Sequence, residues 1–573
     1  MKDKQKIIIY QVLPRLFGND KSNNIPWGGI EENGCGKMSA FTRRALKEIR
    51  KLGCTHVWFT GLIEHATRTD YSIYNIRRDF PEIVKGRAGS PYAIKDYYDV
   101  CPDLADNVPH RRREFKKLID RTHASGLKAI IDLVPNHVAR QYHSDAKPRG
   151  QRDFGENDKT SLAFDAQNNF YYLPGEVFHP DFLDENQIKN YAEFPAKVTG
   201  NDCFSAHPGR NDWYETVKLN YGIDYRGGAR RCFKPIPDTW LKMRDIVCYW
   251  ASQEVDGFRC DMAEMVPVEF WEWLIADVKK QYPNLIFIAE VYNPALYRDY
   301  IERGGFDYLY DKVGLYDTLK TVIQGGSARA ITGCWQSLGN IRPKMLNFLE
   351  NHDEQRIASD FFAYDAWKAL PALAVSAAMY SNPFLIYAGQ EFGERGMDAE
   401  GFSGRDGRTT IFDYWNPDTL RRWYNEGRFD GDKLSEDESR LCRCYSQILN
   451  LCGLEKSITK GDFFDLLYAN TDNPMFNPDR QYAFLRFYED ELMLVAVNFA
   501  EYDLDADVSI PPAAFNYFGI RRSKPESAVD ALTGEAMNPE LSPSTAYRVR
   551  LARYGYRFVK FHYKKIDKKR GKS

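Results

Sequence analysis

What the sequence lacks narrows its reading first. It has no dominant charge: 78 Lys and Arg stand against 80 Asp and Glu, a formal net charge of −2. No global field therefore draws it to nucleic acid or to an anionic membrane surface. It has no apolar run of the roughly 20 residues that a bilayer-crossing helix needs. It shows no leader either, since "MKDKQ" runs straight into "KIIIYQVL", which is too short for a signal core and lacks a small-residue cleavage site. The eleven cysteines form no CxxC pair and no metal-ligand spacing. An odd number of them, with Cys54, Cys248 and Cys260 in stretches that read as core, implies reduced thiols. From these features the chain is expected in the cytoplasm, or in an exported compartment had a leader been removed, and no membrane or nucleic-acid partner is expected. Also missing are internal repeats, low-complexity segments and a glycine-rich phosphate loop after the late strands. The length of 573 residues, 43% of them hydrophobic, allows a large core and more than one domain. Aromatics make up 14%, which suits core packing and equally suits stacking on sugar faces.

What is present has a clear order. Apolar runs recur at 6–13, 56–61, 128–134, 255–262, 285–291, 306–311, 345–352 and 383–391. Amphipathic helical patterns lie between them at 40–53, 111–126, 239–254, 266–283 and 366–381. Nearly continuous hydrophobic strands alternating with helices predict a parallel sheet covered on its outside. Eight such units predict an α/β fold, a (β/α)8 TIM barrel with its first part at 1–137 and its second at 239–455. The hundred or so residues between, 138–238, are too many for a structureless loop and predict an inserted domain after the third strand. Beyond 455 the period changes to two, in 481–500 and 556–565. An antiparallel β-sandwich domain is expected at 456–573, with the final "KKIDKKRGKS" a solvated tail.

Polar residues collect where these strands end. The third ends in "DLVPNH" (Asp132, Asn136, His137), the fourth carries Arg259 and Asp261 in "DGFRCD", and the fifth ends at Glu290. The seventh ends in "ENHD" (Asn351, His352, Asp353) and the eighth in "GQE" (Gln390, Glu391). Singly, each has a structural explanation: an Arg–Asp pair locks strands, and "NHD" caps a helix. Jointly they put three carboxylates, two histidines and an arginine on one rim, where β/α barrels carry their chemistry. Such a set suits glycoside hydrolysis with retention, in which one carboxylate attacks and a protonated one about 5–5.5 Å away feeds the leaving oxygen. Arg259 and Asp261 share a strand face, so the guanidinium is expected to keep Asp261 ionised. Glu290 follows the apolar "LIFIA", an approach expected to favour its protonated form.

On these motifs the chain resembles the α-amylase family, glycoside hydrolase family 13. "YQVLPRLF" (10–17) and "KLN" (218–220) add to the likeness. The resemblance implies a retaining α-glycosidase acting on α-glucans or maltooligosaccharides, with a transglycosylase sharing the first half-reaction as the alternative and a non-catalytic sugar-binding relative as a third reading. It implies Asp261 as nucleophile, Glu290 as acid/base and Asp353 as transition-state stabiliser, with Arg259, His137, His352, Tyr92 and Asp96 binding the sugar. The partner is then an α-linked oligo- or polysaccharide. Where many relatives carry a Lys-His pair after the nucleophile, this chain has Glu264 and Met265. Where exo-acting relatives carry an aspartate before the stacking tyrosine, it has Gly89. Asn136 matches a residue that binds calcium in many relatives and that calcium-free relatives keep too, so calcium stays open without a ligand set to support it, and no cofactor is expected to be required. Phe170, Tyr171, Tyr172, Trp213 and Tyr214 are either stacking platforms or core of the inserted segment.

Overall fold

The structure is a computed structural model that describes residues 5–184, 187–188, 190–520 and 524–563. The basic tail expected at 564–573 lies outside the described residues. Eight strands close a parallel barrel: β1 (Ile8–Val12), β2 (His56–Phe59), β3 (Lys128–Leu133), β4 (Gly257–Cys260), β5 (Ile286–Ala289), β6 (Tyr308–Tyr310), β7 (Met345–Phe348) and β8 (Phe384–Tyr387). Each pairs with its predecessor in the chain, and β8 closes on β1 through Ile8↔Phe384 to Gln11↔Tyr387.

Strand alternation sorts the side chains into two sets. Ile9, Trp58, Ile130, Ile288, Tyr310, Leu346, Phe348 and Leu385 pack together inside the barrel. Their neighbours, such as Ile8, Tyr10, Val57, Ile131, Phe258 and Phe287, join the larger core beneath the helices. The inward parity continues past the strand ends, and it decides the chemistry. Asp132 follows Ile130 by two, Asp261 follows Arg259 by two, and Glu290 follows Ile288 by two, so all three enter the barrel mouth.

The covering helices Arg43–Lys51, Arg111–Ala124, Asp238–Ser252, Val268–Gln281 and Leu370–Ala378 fall where the 3.6-residue period predicts them, trimmed at the ends. The helix Glu436–Leu454 opens on a capping box from Ser435 to Glu438. Among the described residues between β3 and the helix Asp238–Ser252, the strands form short antiparallel ladders: His137–Ala139 with Thr216–Lys218, Tyr172–Leu173 with Ala196–Lys197, and Ile223–Asp224 with Arg230–Arg231. Toward the C-terminus a six-stranded antiparallel sheet packs against the ladder Leu504–Val508/Tyr547–Leu551. Leu485, Leu494 and Phe561 of the sheet meet Val508 and Val549 of the ladder in one core. All eleven cysteines are unpaired, as composition predicts, although Cys248 is half-buried rather than core.

Candidate active site

The barrel mouth opens into a cavity of about 560 Å³ lined by Tyr92, His137, Asp261, Glu290 and Asp353, with Trp213, Tyr292 and Phe412 among its walls. Two backbone bonds fix the floor. The amide of Asp261 donates to Leu133 O at 2.9 Å, and that of Glu290 to Cys260 O at 3.1 Å, so both residues continue the strand ladder. Asp353 is set by a turn: Asn351 Oδ1 accepts from the amides of Asp353 (2.9 Å) and Glu354 (3.0 Å). "NHD" is therefore a loop turn, not a helix cap.

Arg259 is the hub. It is 1% exposed, and its Nη1 stands 2.5 Å from Asp261 Oδ1 while Nη2 stands 2.7 Å from Glu290 Oε2. Asp353 and Asp132 each lie 3.9 Å from it, Nε donates to Tyr310 Oη at 3.2 Å, and the Trp58 and Tyr92 rings flank it at 5.3 Å. Burial pushes the Asp261 carboxyl well above the usual range; Arg259 pulls against this and Glu290 adds to it. The guanidinium is expected to keep Asp261 ionised, and it does act in that direction, but burial is the larger effect and opposes it. One cation cannot neutralise all the carboxylates around it, and the Asp261 and Asp353 carboxyls, each raised by burial and by the charge of Glu290, favour holding a proton. Asp353 is pushed up to about 7 by burial and by Glu290. Its side chain keeps 39% of its surface open to the cavity, so hydration moderates that rise. Asp132, whose Oδ2 accepts the Gly61 amide at 3.1 Å, is pushed up to about 6 by burial.

The surroundings of Glu290 also differ from expectation. It is not sheathed in apolar side chains: Oε2 accepts the Met262 amide at 2.8 Å beside Arg259, and Oε1 accepts Tyr292 Oη at 2.5 Å. Met262 supplies that amide from a left-handed turn (φ 42°) directly after Asp261.

The histidines are neutral hydrogen-bonding groups. Gln11 Nε2 donates to His352 Nδ1 at 2.7 Å, which assigns the ring proton to Nε2. That nitrogen faces Tyr92 Oη at 2.5 Å and Asp353 Oδ2 at 3.1 Å. Burial, and then Arg259, hold His352 well below the usual histidine range. His137 falls to about 3 through burial and the nearby Lys218 and Lys85, and its ring packs on Trp213 at 5.1 Å. Tyr92 overlies His352 at 5.3 Å.

A family model for the α-amylase catalytic domain matches residues 11–446. The chain belongs to that family. The α-amylase of Haloarcula japonica is 25% identical over 395 residues, covering 68% of this chain and 44% of the relative. The α-1,4-glucan:maltose-1-phosphate maltosyltransferase of Pseudomonas aeruginosa is 36% identical over 237 residues, 37% of this chain and 35% of the relative. The chain thus spans less than half the length of these curated relatives. Among solved structures, a noncanonic maltogenic α-amylase from Thermotoga neapolitana superposes with a TM-score of 0.61 at 18% identity, covering 97% of this chain and 98% of that one. At that identity the likeness speaks for the fold.

Against the family's pattern, several positions stand differently. Asp96 does not line the cavity, which corrects its expected sugar-binding place. It lies in the strand Ile94–Val100 opposite Glu64, accepting Ser144 Oγ at 2.6 Å and the amides of Tyr98 and Ala146. It is scaffold for the 144–146 loop. Its neighbour Asp99 is already answered by Arg111 Nη2 at 2.6 Å. Gly89 has φ +82°, and a Cβ there would sit 1.7 Å from Ala66 O, so the aspartate of exo-acting relatives has no room on this backbone. At Asn136 a calcium ion does not fit: Oδ1 accepts Lys218 Nζ at 3.0 Å, and that ammonium also pairs with Asp202. Of the five candidate stacking aromatics, Trp213 lines the cavity, while Phe170, Tyr171, Tyr172 and Tyr214 are at most 6% exposed.

Sequence reasoning missed several lining residues, among them Lys85, Glu215, Tyr292 and Phe412. Lys85 Nζ stands 3.1 Å from Glu215 Oε2, both nearly buried. Tyr292 alone carried a readable signal, two residues past Glu290 on the same strand parity.

Proposed function

We propose that the protein is a retaining α-glycosidase acting on α-glucans or maltooligosaccharides through a covalent glycosyl-enzyme intermediate. The observation that carries this is the bridging of Asp261 and Glu290 by one guanidinium, with Asp353 beside them, at the floor of a sugar-sized cavity. The sharing of one guanidinium by both carboxylates supports the short separation of about 5–5.5 Å that retention uses, rather than the ~6.5–9.5 Å of inversion.

In the reactive state Asp261 is ionised against Arg259 Nη1 and attacks the anomeric carbon. The proton retained by the cluster sits on Glu290 and passes to the leaving oxygen. Asp353 and the Nε2–H of His352 gather the sugar's hydroxyls and support the positive charge that develops at the ring. Glu290, now ionised, then takes a proton from water, whose oxygen releases the sugar from Asp261 with its configuration restored. Lys218, filling the place of a cation at Asn136, supports catalysis without calcium. Asp261→Asn should abolish turnover of maltoheptaose; unchanged turnover would sink the proposal.

The maltosyltransferase relatives favour a second reading, in which another sugar replaces water in the second step. Oligomers longer than maltoheptaose appearing early would establish transfer, and shorter ones alone hydrolysis.

A further inference from the structure

Glu290 has two oxygens, and the site treats them differently. Oε2 faces a full positive charge and a backbone amide: Arg259 Nη2 at 2.7 Å and Met262 N at 2.8 Å. A proton is disfavoured there, because Oε2 faces the guanidinium charge and accepts the Met262 amide, whereas Oε1 meets a neutral phenol. The transferable proton therefore belongs to Oε1, which touches Tyr292 Oη at 2.5 Å. Burial does most to hold the Tyr292 proton in place, the Glu290 and Asp353 carboxylates add to it, and Arg259 opposes it. Its phenol is a fixed donor.

Tyr292 is itself held. Glu264 Oε2 accepts the backbone amides of Tyr292 at 3.1 Å and Asn293 at 2.9 Å. The Glu264 carbonyl in turn accepts Tyr300 Oη at 3.2 Å. Glu264 and Met265 stand where many family members place a Lys-His pair, so this chain has replaced side chains directed at the leaving group with a clamp on the segment after the acid.

On the functional reading above, we propose that Tyr292, pinned by Glu264, is a positioning residue that strengthens the Glu290 acid at the cost of the Glu290 base. As Oε1 gives its proton to the leaving oxygen, negative charge grows on that atom and the Tyr292 hydrogen bond tightens on it. The O–H bond of Glu290 breaks, the anomeric C–O bond breaks, and the bond from Asp261 to the anomeric carbon forms. In the second half-reaction the same hydrogen bond stabilises the carboxylate that must accept a proton, and so slows attack by water or sugar. The two half-reactions are thereby pushed in opposite directions.

The test compares a substrate that needs the proton with one that does not. Maltoheptaose has a poor leaving group, whereas α-glucosyl fluoride departs with little assistance and reports the second half-reaction. Tyr292→Phe is expected to lower kcat/KM for maltoheptaose about 10- to 100-fold, the range for a hydrogen bond to a charged group. It is expected to leave kcat for α-glucosyl fluoride equal to or above the parent. Glu264→Ala, which releases the clamp without touching the phenol, should give the same split at a few-fold. Equal losses on both substrates, or no loss on maltoheptaose, would overturn the inference while leaving the glycosidase reading intact. A parent enzyme that turns over neither substrate would overturn both.

Discussion

Replacing Arg259 by methionine tests whether the carboxylate cluster rests on one cation. The side chains are similar in volume and the site is 1% exposed, so packing changes little and charge changes most. Asp261, Asp353 and Asp132 are each pulled down by the guanidinium against the effect of burial. Removing one partner of a buried ionic group costs about 3–5 kcal/mol. At 1.36 kcal/mol per pKa unit that is roughly two to four units spread over the carboxylates. The sign follows from linkage: without Arg259 the folded carboxylates bind protons more tightly than the unfolded ones. The stability they contribute is present below the unfolded values and is lost as pH rises through the folded ones. The deficit of Arg259→Met should therefore be near its full size at pH 8 and fall by half or more at pH 5. Thermal melting of parent and variant across that range measures it. A deficit independent of pH would refute the reasoning, since a packing defect carries no protons.

Three further outcomes follow from other sites. Treatment with EDTA should leave activity and melting temperature unchanged, and Lys218→Met should lower the melting temperature, because an ammonium occupies the Asn136 position; EDTA inactivation would contradict this. Glu391 is fully buried, bonded to Tyr10 Oη at 2.8 Å, and pushed from 4.5 up to about 7 by burial. Its stabilising protonated form is present below about pH 4.5 and lost as pH rises through 7, so Glu391→Gln should gain up to about 3 kcal/mol on the parent between pH 5 and pH 8 in urea titrations; a gap constant with pH would exclude it. Gly89→Ala should destabilise by several kcal/mol, seen as a large fall in melting temperature, because the new Cβ meets Ala66 O at 1.7 Å in a left-handed backbone.

The barrel was legible because its strands are buried on both faces and its helices carry an unbroken 3.6-residue period. Both signals are local, and parity past the strand ends then delivered Asp261 and Glu290 to one mouth. The short ladders between β3 and β4 were not legible: strands of two or three residues, such as Tyr172–Leu173, have no period to read. Asp96 misled for a related reason. It follows Tyr92 closely in sequence, yet the strand Ile94–Val100 carries it away from the cavity and against Glu64. Lys218 at Asn136 and Lys85 at Glu215 are pairings across 82 and 130 residues, and no local pattern announces them. The charge of Asp261 was misjudged because the sequence shows its partner Arg259 but not the depth of burial or the three other carboxylates around that partner.

The central claim is that Asp261 becomes covalently bonded to the sugar. Incubation with 5-fluoro-α-glucosyl fluoride, followed by peptide mass spectrometry, tests it most directly. A glycosyl adduct on the peptide carrying Asp261, absent from Asp261→Asn, is the predicted result. An adduct on another residue, or turnover that releases the β-anomer first with no adduct at all, would contradict it.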